Sequence, residues 1–570
     1  QGQGNPLYLT ELADFVKATP DGRETDELPA SLQSLVLSRL DRLSAQQQTV
    51  IKSASIIGRE FRLDWLDGYY PGEGGLPQLT GHAGELDRLE LLQLTRPSPL
   101  SYAFRQVLTR DISYSSIPYS LRADLHTRLA RFLEAQATAS EPYLEQLAVH
   151  YGLGNDVDSK HVYLKRAGIA AQESYANDTA LRWFGELLPE LEGADRLEVL
   201  QRRGQVLMHM GRYTEAEEGF REALELAVTL VDRHGEAVSM RLLGELSEKQ
   251  GDYEGSVSWL RQALSVFEET GEETELIQVL LALGGNVLWQ QGAYSEAGTH
   301  LSRALELSRR HEAVRSEARA LHGLGNIELH QGRLQPARQL FEESLNRRRE
   351  IGDTLGIANA LNNLGIIAAM LDDAGTARQH FGESLQLRRQ IGDLAGTAVA
   401  LNNVGFMAAE QGDLHTAFEM NFESLGLRRE IGDRLGIAVT LNSLGYLQYR
   451  LENSSEAAAH LAESLQLLAE MGNVRETAAA LVGAAALLVN VDRLLGTWLA
   501  LAAEAQLAAI GAAMDKEVQE AFDRVTAGSL RDLGEAQLNG LRSEAAEADP
   551  ARVISAALEG LQGLMGLQAG

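Results

Sequence analysis

No cysteine occurs among the 570 residues. Disulfides, thiolate nucleophiles and thiolate metal sites are therefore excluded, and the composition suits a reducing cytoplasm. Aromatic residues are few, 6% against 44% hydrophobic residues in all. That balance fits Ala- and Leu-rich helices packed through small contacts. Basic residues are in deficit: 51 Lys and Arg face 80 Asp and Glu, a formal charge of −29. Such a surface repels phosphate, so direct nucleic-acid binding is not expected. Long apolar runs are missing as well. The most tempting, Thr477 to Val491, is shorter than the ~20 residues a membrane span needs, and Asp492 and Arg493 end it. The opening QGQGNPLYLTEL lacks the basic-then-apolar order of a secretory signal. A soluble, cytoplasmic chain of several domains is the expectation.

Signatures of catalysis are absent too. Gly-x-x-x-x-Gly-Lys-Ser/Thr, Gly-x-Ser-x-Gly and His-Glu-x-x-His do not occur. The 13 histidines are scattered. His322 and His330 stand two helical turns apart, too far to chelate one metal, so no metal is expected. Carboxylates are so abundant that a catalytic pair cannot be told from a solvated face. No catalytic residue is assigned, and this chain is not expected to be an enzyme.

What the chain has is repetition. A small residue recurs at Gly204, Gly244, Gly285, Gly325, Gly365, Gly405, Gly445 and Ala485, in steps of 40 with a single step of 41. Seven residues after each comes a turn residue, such as Gly211, Gly332 or Asp372, and twelve after comes a mostly small one, such as Ala216, Ser256 or Ala377. Sixteen after is a large apolar residue (Phe220, Leu260, Leu301, Phe341, Phe381, Leu461, Leu501), with Asn421 the exception. Twenty after is Leu in most units. The pattern describes two helices held close by small residues, since a mid-helix Gly costs ~1 kcal/mol relative to Ala and needs a packing reason. Ile351-Gly352-Asp353, repeated at 391–393 and 431–433, supplies Gly to end one helix and Asp to cap the next. The spacing resembles the tetratricopeptide repeat, stretched from ~34 to ~40 residues. That resemblance implies a right-handed superhelix with first helices lining its concave face.

Before Leu197 the pattern differs. An amphipathic helix opens at Leu28 and runs through Leu43, and another spans Gln46 to Ile57. Leu91 to Leu94, then Arg96-Pro97-Ser98-Pro99, then Ser101 to Phe104 reads as strand, turn, strand; a helix follows from Ser120 to Ala135. Helices, a small hairpin, then helices is the layout of a winged helix. The expected class is nearly all-α. The expected divisions are 1–27, an end of a nucleotide-binding module (lid remnant); 28–135, winged-helix-like; 136–196, bridging helices and degenerate repeats; 197–510, eight repeats; and 511–570, a C-terminal helical cap.

GNPLYLTEL (4–12), LPASLQSLVLSRLDRLS (28–44), ASIIGREF (54–61) and YAFRQVLTRDISYSSIPYSLRADLHTRLARFLE (102–134) form an ordered series. Together they resemble the C-terminal part of the nucleotide-binding module of STAND ATPases, signal-responsive P-loop switches. The likeness is to bacterial members with long tetratricopeptide arrays, as in multidomain adenylate cyclases and LuxR-type regulators. It implies that Pro6 would lie beside an adenine. It also places Gln106 where the family has a phosphate-facing histidine. Gln106 donates an amide hydrogen bond but carries no charge; Arg105 either substitutes or is an ordinary surface charge. His126 occupies a structural family position. With the P-loop missing, the chain is expected to be a fragment that needs no cofactor itself; ATP or ADP is expected only with an upstream module.

Two features of the array invite a functional reading. Arginine pairs at 309–310, 348–349, 388–389 and 428–429 end the second helices. They are either helix C-terminal charge with nearby acidic partners or a basic ridge for an acidic protein. Amides recur as ALNNLG (360–365), ALNNVG (400–405) and TLNSLG (440–445). Asn362, Asn363, Asn402, Asn403, Asn442 and Ser443 fall between packing leucines, with Asn359 one turn before Asn363. His322, Arg319 and Asn326 take related places in the preceding unit. By resemblance these positions face the groove, where Phe406, Tyr446 and Tyr449 would add apolar contacts. The ladder either grips the backbone of a protein or peptide, or bonds between repeats to hold the twist. Two functions stay open: the non-catalytic regulatory and sensor half of a STAND-type switch, working with an upstream nucleotide-binding module and oligomerising on activation, or a stand-alone scaffold.

Overall fold

In the computed structural model, described for residues 32–70, 75–136, 143–510, 512, 514 and 516–566, the chain divides into two compact units, Gln1–Thr270 and Gly271–Gly570. Pro6 and the segment 1–27 lie outside the described residues.

In the first unit, helices Leu32–Asp41 and Ala45–Ile57 precede β1, Glu60–Arg62. Ser44 and Gln47 start the second of these helices with a reciprocal capping box. Helices Leu63–Tyr69 and Gly75–Arg88 lead to the expected hairpin, β2 (Leu92–Pro97) and β3 (Leu100–Phe104), in an antiparallel sheet of order β1-β3-β2. Helices Val107–Ser115 and Tyr119–Gln136 follow. One apolar cluster joins Ile51, Phe61, Leu66, Leu86, Phe104 and Leu129, and it continues into Leu147, Tyr151 and Tyr163. The domain core therefore does not stop at residue 135.

The repeats are helix pairs. Repeats 1 and 2, in the first unit, are Gly193–His209 with Tyr213–Leu230 and Arg233–Lys249 with Tyr253–Thr270. In the second unit, repeat 3 spans 273–290 and Tyr294–Arg310, and repeat 4 spans Val314–His330 and Leu334–Glu350. Repeat 5 is Thr354–Met370 with Ala374–Ile391, and repeat 6 is Leu394–Glu410 with Leu414–Ile431. Repeat 7 is Arg434–Arg450 with Ser454–Met471, and repeat 8 is Val474–Leu488 with Arg493–Ala509. A further pair, Val157–Glu173 and Asn177–Leu187, precedes them. It follows the same rules: Gly168 meets Phe184, as Gly204 meets Phe220.

The glycines owe their place to contact. A Cβ on Gly204 would stand 2.3 Å from the Phe220 ring, and one on Gly365 would stand 2.6 Å from Phe381. Repeat 3 corrects the expected register. Gly284, not Gly285, packs against Leu301, with the added Cβ 2.7 Å away as against 3.8 Å. The extra residue of the 41-residue step is taken up by a π-turn over Leu283–Val287.

Asp353, Asp393 and Asp433 cap the next helix by accepting from the Gly356, Gly396 and Gly436 N–H groups. Gly392 and Gly432 end helices in the left-handed conformation. Past repeat 8, helices Lys516–Leu533, Glu535–Ala546 and Pro550–Gly566 add Phe522, Val553 and Leu561 to the apolar cluster of Leu461, Leu481 and Leu499. No helix among the described residues is long and apolar enough to cross a membrane.

Candidate functional site

In the second unit, first helices of successive repeats line one face, and the recurrent amides stand on it. Several of those amides bond between repeats. Asn363 of repeat 5 donates from Nδ2 to Asn326 Oδ1 of repeat 4 at 3.0 Å. Asn403 of repeat 6 donates to Asn362 Oδ1 of repeat 5 at 2.8 Å. Asn402 donates to Thr440 Oγ1 of repeat 7 at 3.3 Å. Gln201 donates to Ser239 Oγ in the same manner in the first unit, at 3.0 Å. The bracing role is thus occupied, and what remains for a ligand is the space between the rungs.

Two cavities open there. One, of about 350 Å³, lies across repeats 3 to 5, lined by Trp289, His322, Asn326, His330, Asn359, Asn362, Asn363, Ile366 and Arg388 among others. The π-turn of repeat 3 precedes Trp289, whose ring meets the His330 ring edge-on at 5.0 Å. Trp289 Nε1 and His322 Nδ1 are buried without hydrogen-bond partners among the described residues. Burial, then the nearby Arg348 guanidinium, pushes His322 down to about 3, so it is neutral at physiological pH.

The second cavity, of about 110 Å³, lies across repeats 6 to 8. Asn402, Gly405, Phe406, Asn421, Asn442, Ser443, Tyr446 and Val482 line it, and Val518 and Ala521 of helix Lys516–Leu533 form a wall. Arg524 of that helix donates to the Tyr446 hydroxyl at 3.1 Å. The C-terminal cap therefore does more than cover the last repeat, since it reaches the first-helix face. Three expected groove residues line neither cavity. Asn403 is spent on the bond to Asn362. Arg319 donates to Gln278 Oε1 at 3.3 Å, and Tyr449 packs on the apolar cluster of repeats 7 and 8.

The arginine pairs divide their work. Arg309, Arg349, Arg389 and Arg429 reach Glu343, Glu383, Glu423 and Glu463 of the next second helix. Arg348, Arg388 and Arg428 are instead buried. Arg388 donates to Ser384 Oγ at 3.3 Å, Asp393 Oδ2 at 2.6 Å and Asn359 Oδ1 at 2.5 Å. Ser384 in turn donates to the Ala358 carbonyl at 2.8 Å. Gly396 makes room, for its Cβ would fall 1.6 Å from Arg388 Nη1. Arg348 and Arg428 repeat the arrangement with Asp353 and Asp433. Burial pulls these two guanidinium groups below their ordinary value, and the aspartates oppose it. The basic-ridge account fails for these residues: half of each of the pairs 348–349, 388–389 and 428–429 is inside, while Arg309 and Arg310 are both exposed and paired with Glu343 and Glu273.

In the first unit, Arg105 pairs with Glu90 at 3.5 Å on the surface. Gln106 precedes helix Val107–Ser115 without capping it, and its Oε1 is buried without a hydrogen-bond partner among the described residues. His126 is buried. Its Nδ1 lies 2.9 Å from His150 Nδ1, and its Nε2 lies 2.9 Å from the Tyr114 hydroxyl. Among the described residues, no cluster of His, Asp and Glu could hold a metal ion.

Residues 195–269, 275–350, 316–390, 356–430 and 396–470 match the family model of the tetratricopeptide repeat. Those segments are tetratricopeptide repeats, and the chain is a nearly all-α repeat protein. Among solved structures it is similar to the Signal Transduction ATPase with Numerous Domains (STAND) protein with a tetratricopeptide repeat sensor from Pyrococcus horikoshii. That likeness has 13% identity and a TM-score of 0.51, and it covers 82% of this chain and 69% of that one. It shows a shared fold. More distant likenesses are to a Rap protein complexed with Competence and Sporulation Factor (15% identity, 57% of this chain and 92% of that one, TM-score 0.37). Another is to the quorum sensor NprR from B. thuringiensis (16% identity, 65% and 99%, TM-score 0.44). No curated protein sequence matches the chain.

Proposed function

We propose that the chain is the non-catalytic regulatory and sensor half of a STAND-type switch. A protein or peptide binds along the first-helix face of repeats 3 to 8. The winged-helix-like domain relays the bound state to a nucleotide-binding module, which sets the activity of an effector. The observation that carries this reading is the pair of cavities on one first-helix face, one edged by Asn326, Asn362 and Asn363 and the other by Asn402, all held by bonds between repeats. Fixed amides present donors and acceptors at repeat spacing with little ordering cost on binding. The shared fold with a STAND protein that has such a sensor supports the upstream half of the reading.

The test joins this chain to a nucleotide-binding module encoded with it and follows exchange of a fluorescent ADP analogue, with and without pools of blocked hexapeptides. The expected result is nucleotide binding whose exchange rate changes with peptide. Nucleotide binding indifferent to every peptide pool would end the relay. Peptide binding with no nucleotide binding would leave the stand-alone scaffold in its place.

A further inference from the structure

Repeat 6 breaks the packing rule of its neighbours. In repeats 5 and 7 the second-helix residue facing the packing glycine is Phe381 or Leu461, and it fills the space against Gly365 or Gly445. In repeat 6 it is Asn421, only 3% exposed, with Nδ2 turned back to the Ala417 carbonyl of its own helix at 2.8 Å. The shorter side chain leaves volume, and the cavity of about 110 Å³ lies there.

We propose that this cavity is a pocket for an uncharged carboxamide, the side chain of a Gln or Asn residue in a bound peptide. The proposal rests on the peptide reading above and names what one part of the face selects. Every residue lining the cavity is uncharged, so an ion would meet no counter-charge in the lining itself; the nearby Arg524 guanidinium is engaged by the Tyr446 hydroxyl. Its polar groups are amides and hydroxyls. Asn402 spends Nδ2 on Thr440, while its Oδ1 is buried with no hydrogen-bond partner among the described residues. A buried acceptor left unpaired calls for a donor. Asn442 and Tyr446 supply further polar edges, which a ligand carbonyl can meet, while the Ser443 hydroxyl already donates to the Val439 carbonyl at 3.3 Å. A primary carboxamide is neutral and carries both a donor and an acceptor, which a carboxylate or an alkyl group does not. Phe406 and Val482 suit the methylenes behind it.

The experiment uses the whole chain and pools of blocked hexapeptides, each with one fixed residue, titrated by fluorescence anisotropy. Pools fixed at Gln or Asn should bind about tenfold more tightly than pools fixed at Glu, Leu or Ser. Asn421→Leu restores the packing of the neighbouring repeats, so it should melt no lower than the parent while bringing the Gln and Asn pools down to the level of the others. Asn402→Ala should also bring the Gln and Asn pools down to the level of the others, without filling the cavity. Equal binding of all pools, a preference for Glu, Leu or Ser, or a Gln/Asn preference that survives both substitutions would overturn the pocket. Failure of every pool to bind would remove the peptide-binding face and the pocket together, whereas binding without preference removes the pocket alone.

Discussion

Asn403 and Asn362 show what a single rung of the ladder does. Their 2.8 Å hydrogen bond joins repeats 6 and 5, and removing it by Asn403→Ala should cost about 1 kcal/mol in urea unfolding. Gly365→Ala should cost about 1–3 kcal/mol, because the new methyl meets the Phe381 ring at 2.6 Å and either the ring or the helix must give. The recurrence of the amides was legible in the sequence, as was their place between packing leucines. Their partners were not. Whether Asn363 reaches Asn326 or a ligand depends on how far one helix pair is rotated against the next, which no spacing within a repeat encodes. A second residue pair carries a pH signature. Burial holds His126 down to about 3 and His150 to about 4, with His150, Arg110 and Arg122 adding to the effect on His126 and Arg110 to that on His150. The unfolded chain takes up these protons near the ordinary value of about 6.5, and the folded chain does not. Their contribution to stability is therefore full above pH ~6.5 and declines as pH falls from there toward 4. Denaturant midpoints measured across that range should fall more steeply for the parent than for His150→Leu.

At the scale of the element, the helix junctions carry two grades of cap. Asp373 caps a second helix, accepting from Thr376. Asp393 caps a first helix and also pairs with buried Arg388. Asp393→Ala should cost at least roughly 3 kcal/mol, because it leaves a buried guanidinium without its counter-charge. Asp373→Ala should cost clearly less, and chemical denaturation of the two variants checks the order. The caps and the eight helix pairs could be read from Gly-Asp turns and a 40-residue period. The ninth pair, with Gly168 and Phe184, lies where degenerate repeats were expected, and it fell outside the regular period because its second helix, Asn177–Leu187, is short and the step to Gly204 is only 36 residues. The π-turn at Leu283–Val287 hid behind two adjacent glycines, either of which satisfies the pattern; contact with Leu301 decides for Gly284. β1 escaped because Glu60-Phe61-Arg62 is too short to show alternation. That helix Lys516–Leu533 reaches the first-helix face was unreadable, since a helix outside the repeat register has no positional code.

At the scale of the whole molecule, the charge of −29 is not spread evenly. Residues 28–135 hold twelve Lys and Arg against eleven Asp and Glu, so the winged-helix-like domain is near neutral and the excess acid lies mainly in the repeats. Ion pairs such as Arg389–Glu423 and Arg429–Glu463 tie second helices together, yet the array keeps a surplus of carboxylates. A surface of one sign raises the local concentration of opposite charge and speeds encounter, while contributing little to the affinity of the docked state. If the first-helix face receives a peptide, a peptide with Lys residues flanking its anchoring side chain should associate faster than its uncharged counterpart. The advantage should vanish with salt, because the Debye length shrinks from about 30 Å at about 0.01 M to about 3 Å at about 1 M. Dissociation rates should change much less, since the uncharged cavity at repeats 6 to 8 does not sense the flanking charge. Stopped-flow association of the two peptides across that salt range separates the contributions. An association rate indifferent to salt for the Lys-bearing peptide would show that the acidic repeats serve solubility alone and take no part in steering.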